Sequence, residues 1–362
     1  MDTLLVQSLA LPVTAGMIMF LRRHAPQLGL VDVPGGRKQH HGDVPLVGGL
    51  GMFGGLAAAA LAAGGWLNAN AALLAALALV MLVGYVDDRN GLSARTRFLV
   101  QAVAVLVMVY WGEVRLDNLG NLFGFGDVHL GRWSVPMTVF AVLGVINAIN
   151  MIDGADGLAS GLALIALLFF AIFAGTAGVL GDTLLLPLVF AVAGFMIFNL
   201  RTPWRSRALV FMGDAGSMLL GFALAWYAVE LADVRDLMTP ITAVWILAIP
   251  LMDTIGLMIR RVIKGVSPFA PDNEHLHHIL QRAGFSHGQT VAIVLGIAVV
   301  LAGIGIAGWK LDVPEYLMFY AFMAVFALYL YGVLHAWKLM RAVRRVHGAV
   351  ERHAPPEIRD AP

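Results

Sequence analysis

The stretch NAINMIDGADGLASG, residues 147–161, sets Asn147, Asn150, Asp153 and Asp156 at intervals of three between two long apolar runs. Those residue types suit nucleotide and phosphate chemistry. An Asn amide reads a nucleobase or holds a phosphate, and an Asp carboxylate takes a hard cation or a ribose hydroxyl. Three residues turn an α-helix by about 300°, so neighbours in the series share a face while the whole series drifts by about half a turn. All four converge only if the helix tightens or unwinds near its end, which Gly154 and Gly157 permit. The plainer reading, a polar loop with Asp caps, leaves two amides inside the helix without a purpose.

Four other polar stretches offer related chemistry. GYVDDRNGLSARTR places Asp87 and Asp88 at the end of an apolar helix. A charge deep in a membrane helix costs roughly 2.5–3.5 kcal/mol, so a pair needs a reason. A cation or phosphate-transfer site supplies one; a solvated helix end neutralised by Arg89 or Arg95 is the alternative. In VFMGDAGSMLLGF, Asp214 lies between Gly213 and Gly216 at the start of a long apolar helix. There it either holds Mg²⁺ against a phosphate or serves as an ordinary N-cap. PFAPDNEHLHHILQRAGF carries His275, His277 and His278. Their spacing does not put all three on one helix face, so phosphate binding or proton handling fits better than a three-His metal site. GGRKQHHGDVPLVGG brings Arg37, Lys38, His40 and His41 to a helix entry, where they can clamp a pyrophosphate or only anchor topology. Asp253 lies inside a helix about two turns before Arg260 and either supports the site or pairs within the bundle.

The elements that must position these residues are membrane helices. The chain has 362 residues, 59% hydrophobic and 13% charged, against about 25% charged in soluble domains. Apolar runs near 4–21, 45–63, 69–86, 98–112, 133–150, 158–177, 184–200, 211–230, 240–260, 290–309 and 315–336 predict an all-α polytopic membrane protein of about eleven transmembrane helices. The Gly-rich LDNLGNLFGFGDVHLGRW segment is the exception and suggests a short strand pair. The run 4–21 precedes Arg22 and Arg23 instead of following a basic segment, so it reads as a first span and not a signal peptide. With the N-terminus outside (periplasmic) and the C-terminus inside, 20 of the 24 Lys and Arg residues fall on inner segments and 4 on outer ones. All five polar stretches then share the inner face. Residues 1–336 form one catalytic membrane domain on this reading, and 337–362 a basic cytoplasmic tail whose Lys338, Arg341 and Arg345 suit anionic headgroups or anchor topology. The absence of Cys excludes disulfides, thiolate chemistry and Cys metal sites. A net charge of +1 gives no ground for a nucleic-acid partner.

The five stretches, in this order and over nearly the whole chain, resemble the polyprenyl-phosphate N-acetylhexosamine-1-phosphate transferase family. The resemblance rests on RKQHHGDVPLVGG, VDDRNGLSAR, NAINMIDGADGLASG, VFMGDAGS and AIPLMDTIGLMIRRVIKGVSPFAPDNEHLHHIL, together with the AWKLMRAVRRV tail. It implies transfer of N-acetylglucosamine 1-phosphate from UDP-N-acetylglucosamine to undecaprenyl phosphate, with release of UMP, at the bacterial inner membrane. Such a reaction initiates lipopolysaccharide O-antigen or enterobacterial common antigen synthesis; another UDP-N-acetylhexosamine is the alternative donor. It further implies Mg²⁺, with Mn²⁺ as the alternative, on Asp214 with Asp87 and Asp88. Asp87, Asp88, Asp153, Asp156, His277 and His278 are then catalytic. Lys38, Asn147, Asn150, Asn199, Phe211 and His275 bind substrate, Phe211 stacking on uracil. Membrane lipid is an expected partner, and a homodimer stays open. The His block reads HLHH where another branch of the family has three His in a row. A secondary transporter and an intramembrane aspartyl protease are the rivals: no repeat symmetry favours the first, and the inner-edge position of the Asp residues disfavours the second.

Overall fold

The computed structural model describes residues 3–32, 42–64, 66–202, 204–268 and 275–335. Lys38, His40, His41 and the 337–362 tail therefore lie outside the described residues. The elements run α1 (Thr3–Ser8), α2 (Ala10–Leu28), β1 (Val31–Asp32), β2 (Val44–Pro45), α3 (Gly48–Ala62), α4 (Trp66–Ala69), α5 (Ala71–Asn90) and α6 (Ala94–Tyr110). They continue with α7 (Ser134–Ile152), α8 (Leu158–Thr176), α9 (Leu185–Asn199), α10 (Gly213–Val229), α11 (Pro240–Ile246) and α12 (Ala248–Ile263). The last three are α13 (Leu276–Arg282), α14 (His287–Lys310) and α15 (Glu315–Leu334).

Each apolar run of the sequence holds a helix or a broken helix. Among the described residues seven segments are long and apolar enough to cross a bilayer, and α11 with α12, bent by 80° at their junction, makes an eighth if the pair is one span. Gly48–Ala62 and Leu185–Asn199 are apolar but shorter. The architecture is that of an all-α, multi-pass membrane protein. A helix suits this setting because it satisfies its own backbone groups where no water can.

Two small features depart from the sequence reading. The Gly-rich segment before α7 forms no strand pair, only a single antiparallel bridge between Asn118 and His129. It is tied down instead by Asp233, which accepts from the backbone N–H groups of Asp117 and Asn118, the latter at 3.0 Å. The antiparallel pair that does form is β1 with β2, in register Val31 with Pro45 and Asp32 with Val44. Two residues per strand carry too little pattern to be read from sequence.

The core is built around α10. It packs against α3, α5, α7 and α8 and is buried along its whole apolar length. Such enclosure requires close backbone approach, which the neighbours supply with glycine. A Cβ on Gly49 would collide with the Gly216 backbone, and one on Gly84 with Ala215 Cα. Backbone cannot yield as a side chain does, so Gly84→Val is expected to cost more than the ~1–3 kcal/mol typical of overpacking. The control is Gly144→Ala on α7, where a Cβ meets nothing within 4 Å and Ala is the better helix former. Thermal unfolding in detergent should show a large loss for the first and none for the second.

Candidate active site

The end of α5 turns sharply, and the turn decides what the aspartates do. Asp87 is buried, and its Oδ1 accepts from Leu92 N–H at 2.5 Å just past the helix. Ser93 caps α6 by accepting from Thr96 N–H at 3.2 Å. That cap starts α6 so that Arg97, one turn in, reaches back to Asp87 Oδ2 at 2.7 Å. The same guanidinium lies 3.7 Å from Asp214 Oδ2 on α10.

Asp88 points the other way, onto the start of α10. It accepts from Asp214 N–H at 2.8 Å and Ala215 N–H at 3.1 Å. A helix start leaves such N–H groups without partners and carries partial positive charge, so a carboxylate there is doubly favoured. Gly213 has φ +71°, and a Cβ there would lie 2.5 Å from Asp88 Oδ2. Glycine is therefore required on both counts. Asn150 completes this corner by donating to Asp214 Oδ1 at 2.6 Å and to Ser217 Oγ at 2.9 Å.

α7 stops at Ile152, and the chain unwinds through Asp153 and Asp156 before α8 begins after Gly157. Asn199, at the end of α9, pins this turn: its Oδ1 accepts from Gly157 N–H at 2.8 Å and its Nδ2 donates to Val210 O at 3.1 Å. Asp156 accepts from Arg201 Nε at 2.7 Å and Ala208 N–H at 3.2 Å. Asp153 opens onto a cavity of about 1080 Å³ whose wall also includes Asp87, Asp88, Asn150, Asp156 and Asp214. It stays open to solvent through the cleft, but the surrounding protein, and then the facing Asp214 and Asp156 carboxylates, push its carboxyl up to about 7.

The histidines occupy α13 and the residue before it, over the same cavity. His275 Nδ1 lies 2.6 Å from Asp253 Oδ2, whose Oδ1 accepts from Leu276 N–H at 3.1 Å and Tyr329 OH at 2.5 Å. Asp253 thus ties the start of α13 to α12 and α15. His277 is buried, packs beside Gly154 and 4.1 Å, centroid to centroid, from the His278 ring, and among the described residues neither of its ring nitrogens finds a hydrogen-bond partner. Burial, and then the neighbouring His278 and His275, push it down to about 3, so it is neutral at physiological pH. His278 lines the cavity.

Comparison with known proteins bears on what such a cavity serves. Residues 70–232 match the profile of glycosyl transferase family 4. The chain is 37% identical to the undecaprenyl-phosphate alpha-N-acetylglucosaminyl 1-phosphate transferase of Escherichia coli K12, over 94% of this chain and 93% of that protein. Proteins of the same name from Haemophilus influenzae and Yersinia pestis are 36% and 38% identical, over 92% and 91% of this chain and 95% and 91% of their own lengths. The chain belongs to the polyprenyl-phosphate N-acetylhexosamine-1-phosphate transferase family. It is a phosphoglycosyltransferase.

Most residues singled out from the sequence of this transferase meet at one site. Asp87, Asp88, Asn150, Asp153, Asp156, Asn199, Phe211, Asp214 and His278 all line the cavity. Phe211 is held there by backbone pairing, its N–H donating to Pro45 O at 2.9 Å. Asn147 does not join them. It donates to Leu143 O at 2.7 Å and Gln101 Oε1 at 3.3 Å, on the drift side of the three-residue series. His275 and His277 sit behind His278, in the protein interior. Arg97, Arg201, Arg282 and His287 were not anticipated, although the last three line the cavity and Arg97 reaches its carboxylates. Arg97 is ten residues from its partner and Arg201 is 45 from Asp156, so no local spacing signals either pair.

The donor set around the cavity is nearly all oxygen, which suits a hard cation such as Mg²⁺. Among the described residues no three carboxylates or imidazoles converge into a cage.

The raised Asp153 value has a testable sign. Folding favours the protonated carboxyl, so its contribution to stability is complete below the ordinary value of 3.8 and is lost as pH rises through about 7. In metal-free protein, the infrared difference spectrum between wild type and Asp153→Asn should contain a carboxyl band titrating near pH 7. A band titrating below pH 5 would overturn the assignment. Asp153→Asn should also gain stability relative to wild type at pH 8 more than at pH 5.

Proposed function

We propose that this transferase moves N-acetylglucosamine 1-phosphate from UDP-N-acetylglucosamine to undecaprenyl phosphate, giving undecaprenyl-pyrophosphoryl-N-acetylglucosamine and UMP. The observation that carries the reading is the meeting of Asp87, Asp88, Asp153 and Asp214 in one cavity at the ends of apolar helices. A water-soluble nucleotide and a membrane-bound acceptor can meet only at such a boundary. The names of the relatives support the donor and acceptor.

An oxygen of the lipid phosphate attacks the β-phosphorus of the nucleotide sugar. A new P–O bond forms there, the bond to the bridging oxygen breaks, and UMP leaves with that oxygen. A phosphomonoester with a second pKa of about 6 is already largely ionised at neutral pH, so deprotonation of the acceptor is a minor task. The larger problem is the approach of one anion to another in a cavity lined with carboxylates. Mg²⁺, or Mn²⁺, held by Asp214 with Asp87 or Asp88, would supply the positive charge that neutralises the diphosphate and the departing UMP. The chain contributes further cations in Arg97, Arg201 and Arg282, with Lys38 as a diphosphate contact and His278 as a donor to phosphate oxygen. Asp88, with both oxygens on α10, serves first to aim Asp214. Asp153, whose carboxyl lies near neutrality, is suited to proton handling. Phe211 offers a face for the uracil, and Asn150, Asn199 and Asp156 shape the nucleotide wall.

The membrane setting follows from the same reading. On the proposed eleven-span topology with a periplasmic N-terminus, 20 of the 24 basic residues fall inside, which supports a cavity on the cytoplasmic face of a bacterial inner membrane. The product would start O-antigen or enterobacterial common antigen synthesis. Residues 1–336 act as one catalytic domain, with 337–362 as a basic tail on anionic lipid.

The test is UMP release by purified protein in detergent with undecaprenyl phosphate, Mg²⁺ and a panel of UDP-sugars. Release with UDP-N-acetylglucosamine, requiring both lipid and metal, is expected. Asp214→Asn should remain folded while its metal-dependent rate falls by at least about a hundredfold. Full activity in that variant would overturn the metal assignment, and release only with another UDP-sugar would overturn the donor.

A further inference from the structure

The segment between α9 and α10 carries a feature the reaction does not use. Trp204 is 93% exposed, as open as any large hydrophobic side chain in the structure. It sits in a tight turn closed by two reciprocal backbone hydrogen bonds, Thr202 N–H to Arg205 O and Arg205 N–H to Thr202 O, both 2.9 Å. Arg205 folds this turn back onto α9, donating to Ile197 O at 2.8 Å and also to Leu200 O. A cation on the last carbonyls of a helix is favourable, so the clamp is stable in its own right.

The direction of that clamp matters. α9 is an apolar helix whose less buried stripe runs through Phe190, Ala193 and Ile197, with Ile197 52% exposed. In a membrane protein such a stripe faces lipid. Arg205 bonds the carbonyls at the end of α9, so Trp204 is held close to the C-terminal end of an apolar helix, the depth at which hydrocarbon gives way to headgroups if α9 lies against lipid. Indole is enriched at this depth because its body is apolar and its N–H is wet. Residues 200–212 include Arg201, Arg205 and Arg207 and no acidic residue, which matches a phosphate-rich layer. On the opposite side of the same turn, Arg201 holds Asp156 in the cavity wall.

We propose that the Thr202–Arg205 turn is an interfacial anchor: Trp204 inserts into the headgroup layer of the membrane on the cavity side, and the turn fixes the height of the Arg201–Asp156 wall relative to the bilayer. The occupant is the phospholipid surface. The proposal rests on the membrane architecture and is independent of the sugar or acceptor used.

The chain has no cysteine, so Trp204→Cys gives a single site for a nitroxide label. The protein would be placed in nanodiscs of phosphatidylethanolamine with phosphatidylglycerol as the minority lipid. Collision with oxygen and with a water-soluble nickel chelate would be compared with the same label at Ile197→Cys and with free label in buffer. Chelate access reduced several-fold from free label, and still above that at Ile197, is the expected result. Access equal to free label would overturn the anchor. So would immobilisation of the label on adding UMP in lipid-free detergent, which would make position 204 a platform for the base. As a second measurement on otherwise native protein, the fluorescence lost in Trp204→Ala should be the part quenched by lipids brominated near the headgroup. Equal fractional quenching in wild type and Trp204→Ala would also overturn it.

Discussion

The structure depends on how one buried helix begins. α10 is enclosed by its neighbours along its apolar length and begins at the wall of the cavity, where its first N–H groups need acceptors. Asp88, from the end of α5, accepts from two of them. That single contact satisfies two helix-start donors and fixes the spacing of the two helices that carry Asp87, Asp88 and Asp214. Gly84, Gly49 and Gly213 follow from it: the helices must approach closely enough for a short Asp side chain to span the gap.

With the two helix ends locked, the cavity becomes a problem of charge. Asp87, Asp153, Asp156 and Asp214 crowd one cleft, and such a cluster would repel itself and any anionic substrate. The chain answers with guanidinium groups on separate elements. Arg97 of α6 stands between Asp87 and Asp214, and Arg201 beyond α9 takes Asp156. Among the described residues Asp153 has no hydrogen-bonded cation of this kind, and its setting pushes it towards neutrality.

The histidines show a division between display and support. His278 reaches the cavity, whereas His275 is spent on Asp253 and His277 is buried and neutral. Asp253 accepts from His275, Leu276 and Tyr329, so α12, α13 and α15 are joined at one carboxylate. This joint fixes the start of the seven-residue α13 over the cavity.

The sequence by itself determined the all-α, multi-pass membrane class, the place of every long helix, and the identity of most of the carboxylates that line the cavity. Each of these rests on information that is local in the chain: an apolar run long enough to span, a glycine beside an aspartate, an amide three residues from the next. Tertiary structure decided which partner each charge takes. Nothing local distinguishes Arg97 from Arg89 or Arg95 as the partner of Asp87, or marks Asp88 as the cap of a helix 126 residues away. The series Asn147, Asn150, Asp153, Asp156 shows the boundary between the two. Its spacing was legible, but where α7 unwinds was not, and that point brings the last three to the cavity while Asn147 turns to Gln101. Helix periodicity is written in the sequence; the packing that ends a helix and pairs distant charges is not.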